Sequence, residues 1–375
     1  MRILILNWKD LKHPEVGGAE IITHELAKRL VKRGHKVIWF CRNFPGRTPQ
    51  DRYDGIRVVR QGDLLTTYWK AYRFYRELDP KPDLVIDMVN TLAWQTSLYV
   101  PKNQRLAYVN QLAREVFFYQ LVWPLSWLAY VLEPLQFLTY RTMPFVCYAK
   151  STKQDLARAG IAPQRVKTFT LGLDRGRYTP GKKADFPLFI TLGRLARMKR
   201  NDLVIQAMAE VIKKIPNAKL AIIGNGPHKE ALKKLVKKLG LGSAVTIQDE
   251  QVWFFGKSPK DQKVALLQSA WALVIPSVKE GWGMVVTEAA ACSTPAIGTK
   301  VTGLSDSITH GKTGLLVSAN PTPQELANAM IKLGKNHKLR SSLAKGALAF
   351  SKTLSWEKSF DEFRRAVIQV TGIAL

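Results

Sequence analysis

The sequence predicts an α/β protein made of two Rossmann-like, doubly wound parallel-sheet domains. Three observations predict it. Strand-length apolar runs alternate with helix-period segments, glycine turns stand where strand passes to helix, and the alternation restarts near residue 188. The 375 residues suit two domains at roughly 100–200 residues each. With 46% hydrophobic and 23% charged residues there is apolar sequence for two cores. That composition excludes global disorder and the collagenous, coiled-coil and disulfide-rich classes.

The first expected domain, 1–180, opens on the apolar run 3–6, a strand and too short for a signal peptide. Gly17-Gly18-Ala19-Glu20 follows, then Ile22, Leu26 and Leu30 at helical spacing, closed by Gly34. Residues 37–40 form the next strand and 83–86 another of the same sheet. Strand, glycine turn, helix, strand is a βαβ unit, which implies parallel pairing under helices. The stretch 180–187, rich in Pro, Gly and Lys, is the expected linker. In the second domain, 181–355, strands fall at 188–192, 220–223 and 272–276, with helices at 202–215 and up to Gly240. A last piece, 356–375, holds a helix that is a candidate to cross back to the N-terminal domain.

Charge narrows the partners. Lys and Arg number 57 against 29 Asp and Glu, for a net charge of +28. Residues 1–187 carry 30 basic and 16 acidic side chains, leaving 27 and 13 for the remainder, so each half is near +14. Basicity spread so evenly favours anionic partners such as nucleotides, anionic lipid headgroups or nucleic acid. Cys41, Cys147 and Cys292 are isolated, without metal spacing or a disulfide framework, which fits a reducing, cytoplasmic setting. The histidines, His13, His24 and His310 among them, form neither a triad nor a metal pattern, so no metal is expected.

Residues 116–140 stand apart, with eight aromatics and one charge, Glu133. Pro124 and Pro134 interrupt the run, and a spanning helix needs about 20 apolar residues. The segment is expected to form two short amphipathic helices at a membrane interface, with Phe117, Phe118, Trp123 and Trp127 in contact, since Trp favours the headgroup level. The other reading is a helical hairpin packed within the first domain. The +28 charge favours an anionic membrane surface. A nucleic-acid surface would interleave basic with aromatic residues, and 116–140 holds no Lys or Arg.

Three motifs carry candidate chemistry. Gly17 and Gly18 precede a helix whose open N–H groups suit an anion. Arg194 and Lys199 share the loop after the strand 188–192, beside Gly193, and can converge on a diphosphate. Residues 276–289 run from a buried strand through Glu280-Gly281-Trp282-Gly283 into a helix that starts near Met284 and carries Val285 and Glu288. Ligands of open α/β sheets bind at the carboxyl ends of strands, which places a site in this loop. Two carboxylates there can bind two hydroxyl pairs while backbone amides face a phosphate.

The Glu280-x7-Glu288 pair, Gly17-Gly18-Ala19-Glu20 and Gly193-Arg194 with Lys199 resemble the family 4 retaining glycosyltransferases of the GT-B fold. So do residues 151–160 with 171–174, and Gly303 with 311–317. The resemblance implies two domains facing across a cleft and metal-independent transfer of a hexose from a nucleoside-diphosphate sugar, with no cofactor. It implies that Arg194 and Lys199 hold the diphosphate, Glu280 the donor sugar, Gly281, Trp282, Gly283, Met284 and Val285 the donor through loop and amides, and Glu288 the ribose. Gly17 and Gly18 would approach the phosphates from the N-terminal, acceptor-binding domain. The sequence has no Asp-x-Asp pair, which agrees. It departs from the family where a His near the donor sugar is common: residues 106–111 offer Asn110 or Gln111 instead. The expected acceptor is lipid-linked or a saccharide, at the inner membrane face. A nucleotide-sugar epimerase of the same fold, a basic nucleic-acid-binding protein and a non-catalytic binding protein are the rivals. Base recognition is expected around residues 250–256.

Overall fold

The structure, a computed structural model, describes residues 1–248 and 259–375. Contacts divide the chain into one unit of Met1–Phe117, Val122–Gly172 and Trp356–Leu375, and another of Phe118–Leu121 and Leu173–Ser355.

In the first unit the strands are β1 (Arg2–Leu6), β2 (Lys36–Cys41), β3 (Gln50–Tyr53), β4 (Ile56–Arg60), β5 (Leu84–Val89), β6 (Arg105–Val109), β7 (Phe145–Cys147) and β8 (Val166–Thr168). They form one sheet in the order β3-β4-β2-β1-β5-β6-β7-β8. Every pair is parallel except the β3–β4 hairpin. All residues of β5 and β6 are buried, as helices on both faces require. Strand order reverses between β1 and β5, which makes the carboxyl ends of those strands the unit's switch point.

The terminal helix Trp356–Thr371 belongs to this unit. Phe363 lies 5.4 Å from the Phe169 ring and 6.2 Å from that of Tyr108, and Glu357 pairs with Arg29 at 2.7 Å. Gly172 is required where this helix begins, because a Cβ there would stand 2.3 Å from the Trp356 ring.

Residues 116–140 divide by face. Helix Leu125–Leu132 leads into a 3₁₀ stretch, Glu133–Tyr140. Phe137 and Tyr140 enter the core, and the buried Glu133 carboxylate accepts from the backbone N–H of Ala113 (2.6 Å) and Arg114 (2.7 Å). Trp123, Leu125, Trp127, Leu128, Val131, Leu135 and Leu138 stay exposed. The segment is thus anchored on one side and apolar toward solvent on the other. Phe117 corrects the expectation of membrane contact: it is buried, turned inward beside Val116, while Phe118, Trp123 and Trp127 are exposed. Among the described residues, no helix is long and apolar enough to cross a membrane.

The second unit holds β9 (Leu188–Leu192), β10 (Lys219–Ile223), β11 (Val245–Gln248), β12 (Ala272–Ile275), β13 (Ala296–Thr299) and β14 (Gly314–Val317). Their order is β11-β10-β9-β12-β13-β14, with every pair parallel. Helices Asn201–Lys214 and Pro323–Lys335 share one core cluster through Val204, Met208, Leu326 and Met330. Residues 180–187 are bound to this unit: Ala184 N donates to Ser269 O (2.9 Å) and Trp271 Nε1 to Ala184 O (2.8 Å). Here the order reverses between β9 and β12, so the two loops that leave those strands adjoin.

Candidate functional site

The loop after β9 is shaped by close backbone approach. Gly193, at φ +134°, donates to Ile223 O (3.0 Å), and Leu195 N donates to Asn225 O (2.8 Å). A Cβ on Gly224 would stand 1.9 Å from Gly193 O, so only glycine permits the loops after β9 and β10 to touch. Arg194 is exposed on this loop. A 3₁₀ turn, Arg197–Lys199, follows, and Arg200 closes it in the left-handed region (φ +50°).

Arg200 is buried, and its guanidinium donates to Pro276 O (2.6 Å), Ser277 O (3.3 Å), Ala319 O (2.8 Å) and Asn320 Oδ1 (3.2 Å). Burial lowers its pKa, yet a guanidinium keeps its proton in proteins. It braces the loop after β9 against the loop after β12. Val278 N donates to Met198 O (2.9 Å) and adds a backbone tie. Sequence reasoning had no role for Arg200, whose bare letter is that of one more solvated base.

These braces bring Lys199 to Glu280. Lys199 Nζ lies 2.5 Å from Glu280 Oε1, and Ser277 Oγ donates to the same oxygen at 2.7 Å. Both side chains are mostly covered. Glu280 N donates to Thr302 O (3.2 Å), and Gly303, at φ +80°, lies so close that a Cβ would be 2.2 Å from Glu280 O. The loop continues through Gly281 to Gly283, which caps helix Met284–Ala291 at φ +78°. First-turn amides such as those of Met284 and Val285 have no intrahelical acceptor, so they are available to an anion. Trp282 is buried with Nε1 unpaired among the described residues.

Glu288 sits one turn into that helix and is buried. Tyr178 OH donates to its Oε1 (2.9 Å), and Lys263 Nζ lies 2.6 Å from Oε2. Burial, followed by the Glu288 charge, raises the Tyr178 pKa, so this phenol stays a donor. The expected base-recognition stretch, 250–256, lies outside the described residues.

In the first unit, Gly17 caps helix Gly18–Lys32, and its N–H donates to Glu20 Oε2 at 2.8 Å. Burial raises the Glu20 pKa. Asn110 directly follows β6 and is buried, with Gln111 half-buried beside it. Asn110 Nδ2 donates to Asn90 Oδ1 (2.5 Å), and Asn90 Nδ2 donates to Asn7 Oδ1 (2.9 Å). This amide chain spans the carboxyl ends of β6, β5 and β1, the switch point of the sheet. Asn7 Nδ2 and Asn110 Oδ1 are buried without a partner among the described residues. Asn7 and Asn90 were missed from the sequence, although an Asn directly after each apolar run was visible.

Residues 176–350 match the family described as Glycosyl transferases group 1, and residues 16–177 match that described as Glycosyltransferase Family 4. A D-inositol 3-phosphate glycosyltransferase of Corynebacterium jeikeium (strain K411) is 28% identical over 211 residues, 53% of this chain and 48% of that protein. The chain spans about half the length of the curated relatives it matches. Among solved structures, sucrose-phosphate synthase from Thermosynechococcus elongatus superposes with a TM-score of 0.79 at 21% identity, covering 99% of each chain. Anabaena Alr3699/HepE in complex with UDP-glucose gives 0.74 at 17% identity, covering 100% of each. Likeness at such identity shows the fold.

Proposed function

This chain belongs to the group 1, family 4 glycosyltransferases and has their GT-B fold, and on that premise we propose that it moves a hexose from a nucleoside-diphosphate sugar to an acceptor hydroxyl, with retained configuration and no metal. One observation carries the reading: Lys199, leaving β9, and Glu280, leaving β12, meet 2.5 Å apart at the switch point of the second sheet. The UDP-glucose bound by the Anabaena protein supports a donor of this class.

In this reading the C1–O bond to the diphosphate breaks while the acceptor oxygen bonds to C1 on the same face. The acceptor proton passes to an oxygen of the departing diphosphate. Arg194 and Lys199 stabilise the charge that develops there, together with the open amides beyond Gly281. Such preorganised donors are worth several kcal/mol. Glu280, oriented by Lys199 and Ser277, takes hydroxyls of the donor sugar. Glu288, oriented by Tyr178 and Lys263, takes those of the ribose.

The acceptor is lipid-linked or a polysaccharide, met at the cytoplasmic membrane face. The exposed apolar side of residues 122–138 on a chain of charge +28 supports this. The relatives' name supports a second reading, a soluble polyol phosphate acceptor.

The test is calorimetric titration with UDP, GDP, ADP and dTDP beside an Arg194→Ala, Lys199→Ala variant. One nucleotide is expected to bind and to be lost in the variant. Binding of none, or equal binding by the variant, overturns the donor site. Sedimentation with anionic vesicles should fall on Trp123→Ser with Trp127→Ser; unchanged sedimentation removes the membrane from the reading.

A further inference from the structure

A second apolar projection, far in sequence from 122–138, stands on the same unit. Leu64 and Leu65 are 63% and 86% exposed, and Trp69 is 60% exposed. Exposed apolar loop tips are usually mobile, but this one is built to hold its shape. Asp63 Oδ1 accepts from Leu65 N (3.0 Å), Thr66 N (2.9 Å) and Thr66 Oγ1 (2.9 Å). Gly62, at φ +74°, has no room for a Cβ, which would come within 2.6 Å of Thr67 Cα. The turn therefore presents two leucines outward from a fixed backbone.

Helix Thr67–Glu77 continues the pattern with basic residues. Lys70, Arg73 and Arg76 follow Trp69, whose ring lies 5.2 Å from that of Tyr72. The carboxylates here are engaged: Asp63 takes backbone N–H groups, and Glu77 pairs with Arg73 at 3.0 Å. Leucines at a tip, tryptophan one turn on and the bases Lys70 and Arg76 behind it match the order of acyl chains, headgroup level and phosphates in a lipid surface.

The projection is also tied, through packed segments, to the stretch that carries the first apolar face. The Tyr72 ring meets Tyr99 at 5.4 Å, just after the turn that displays the exposed Leu98. The segment before that turn, with exposed Leu92, is bound to the 133–140 stretch: Gln136 Nε2 donates to Thr91 O (3.1 Å), Ala93 N to Gln136 Oε1 (2.7 Å) and Thr139 Oγ1 to Gln95 Oε1 (3.0 Å).

We propose that the Leu64–Leu65–Trp69 projection is a second membrane-inserting element, which docks on an anionic lipid surface together with residues 122–138. It rests on the membrane-facing reading of that first segment. Two separated elements fix the orientation of the unit on the lipid, whereas one alone leaves it free to rock.

The test uses the full chain and sedimentation with phosphatidylcholine vesicles containing about a third phosphatidylglycerol. Leu64→Ser, Leu65→Ser, Trp69→Ser together should lower partitioning about tenfold or more, with an unchanged melting curve. As a second measurement, an environment-sensitive dye on Leu65→Cys should shift to the blue with these vesicles; Cys41, Cys147 and Cys292 are buried, so labelling is selective. A triple variant that binds like the parent, or a dye that stays in water, overturns the second element. If Trp123→Ser with Trp127→Ser still abolishes binding in that case, the first segment survives alone. A parent that fails to bind overturns both. Loss of self-association in place of lipid binding, seen by sedimentation velocity, assigns the projection to a protein contact and overturns the proposal.

Discussion

Replacing Gly303 with Ala tests how the Glu280 carboxylate is placed. Two costs combine at this position. The φ of +80° lies in the left-handed region, which costs a residue with a Cβ roughly 1–2 kcal/mol. The new Cβ would also stand 2.2 Å from Glu280 O, 2.7 Å from Glu280 C and 2.8 Å from Gly281 C. The first of these must open by about 1 Å or more to become an ordinary contact. The collision is with the backbone of Glu280 and Gly281 themselves, so relieving it displaces the loop that carries the carboxylate. A displacement of about 1 Å at a reacting centre can cost about a hundredfold in rate.

Gly311 supplies the control. It too has positive φ (+74°), but a Cβ there meets nothing within 4 Å. Gly311→Ala therefore carries the strain without the collision. Gly311→Ala should lose about 1–2 kcal/mol in denaturant unfolding, and Gly303→Ala more, because the collision adds to the strain. Only Gly303→Ala should lose the added affinity of the nucleotide sugar over the bare nucleotide, and about a hundredfold in nucleotide release during transfer. Nucleotide binding itself should persist, because the loop at Gly193 is untouched. If the two variants match in both assays, the close approach does not position Glu280 and the account fails.

Two further outcomes follow from half-buried polar groups. Lys183 Nζ donates to Thr294 Oγ1 (2.5 Å) and Cys292 O (3.2 Å), and burial pushes its pKa down to about 8 from 10.5. Between those values the unfolded chain holds the extra proton, so stability should rise with pH across that window, by at most about 3 kcal/mol. Urea midpoints at both ends should show the rise in the parent and its loss in Lys183→Met; parallel profiles would refute it. Asn90→Ala leaves Asn110 Nδ2 buried and unpaired, at about 1–3 kcal/mol. Asn90→Ser, which keeps an acceptor, should recover part of that, and equal midpoints for the two variants would show that the amide chain is not formed.

The sequence made the second sheet legible because strands buried on both faces are apolar runs, unbroken in β12 and interrupted only by Thr191 in β9. The loops that bring Lys199 and Glu280 together were legible because glycines follow the strands β9 and β12. The β3–β4 hairpin was harder: Gln50–Tyr53 is four mostly polar residues, and only Asp54-Gly55, both at positive φ, announces the turn. The asparagine chain could not be assembled before strand order was known, because Asn7, Asn90 and Asn110 become neighbours only through the β1-β5-β6 arrangement. The 116–140 segment is packed on the first domain through Phe137 and Tyr140, as its second reading expected, and keeps an exposed apolar side. Its composition is uniform, but the one buried charge, Glu133, fixes which side faces in.

Lys199 and Arg200 show why residue type alone could not assign the site. They are adjacent, both basic, and both follow the same strand. Arg200 has a planar fork whose donors can serve several acceptors, and here four oxygens from two loops use it. A lysine at 200 could not reach all four from a single ammonium, so Arg200→Lys should loosen the loop that holds Glu280 although charge is conserved. Lys199 has the opposite character. Its compact ammonium meets the Glu280 carboxylate and remains partly exposed, which leaves donor capacity for an incoming phosphate oxygen. The residue that is most buried thus fixes the geometry, and the one beside it keeps the charge that chemistry can use. On the proposed function, that division fits a chain of charge +28: the many surface bases would attract anions at long range, and the few held at a strand end would fix where a diphosphate rests.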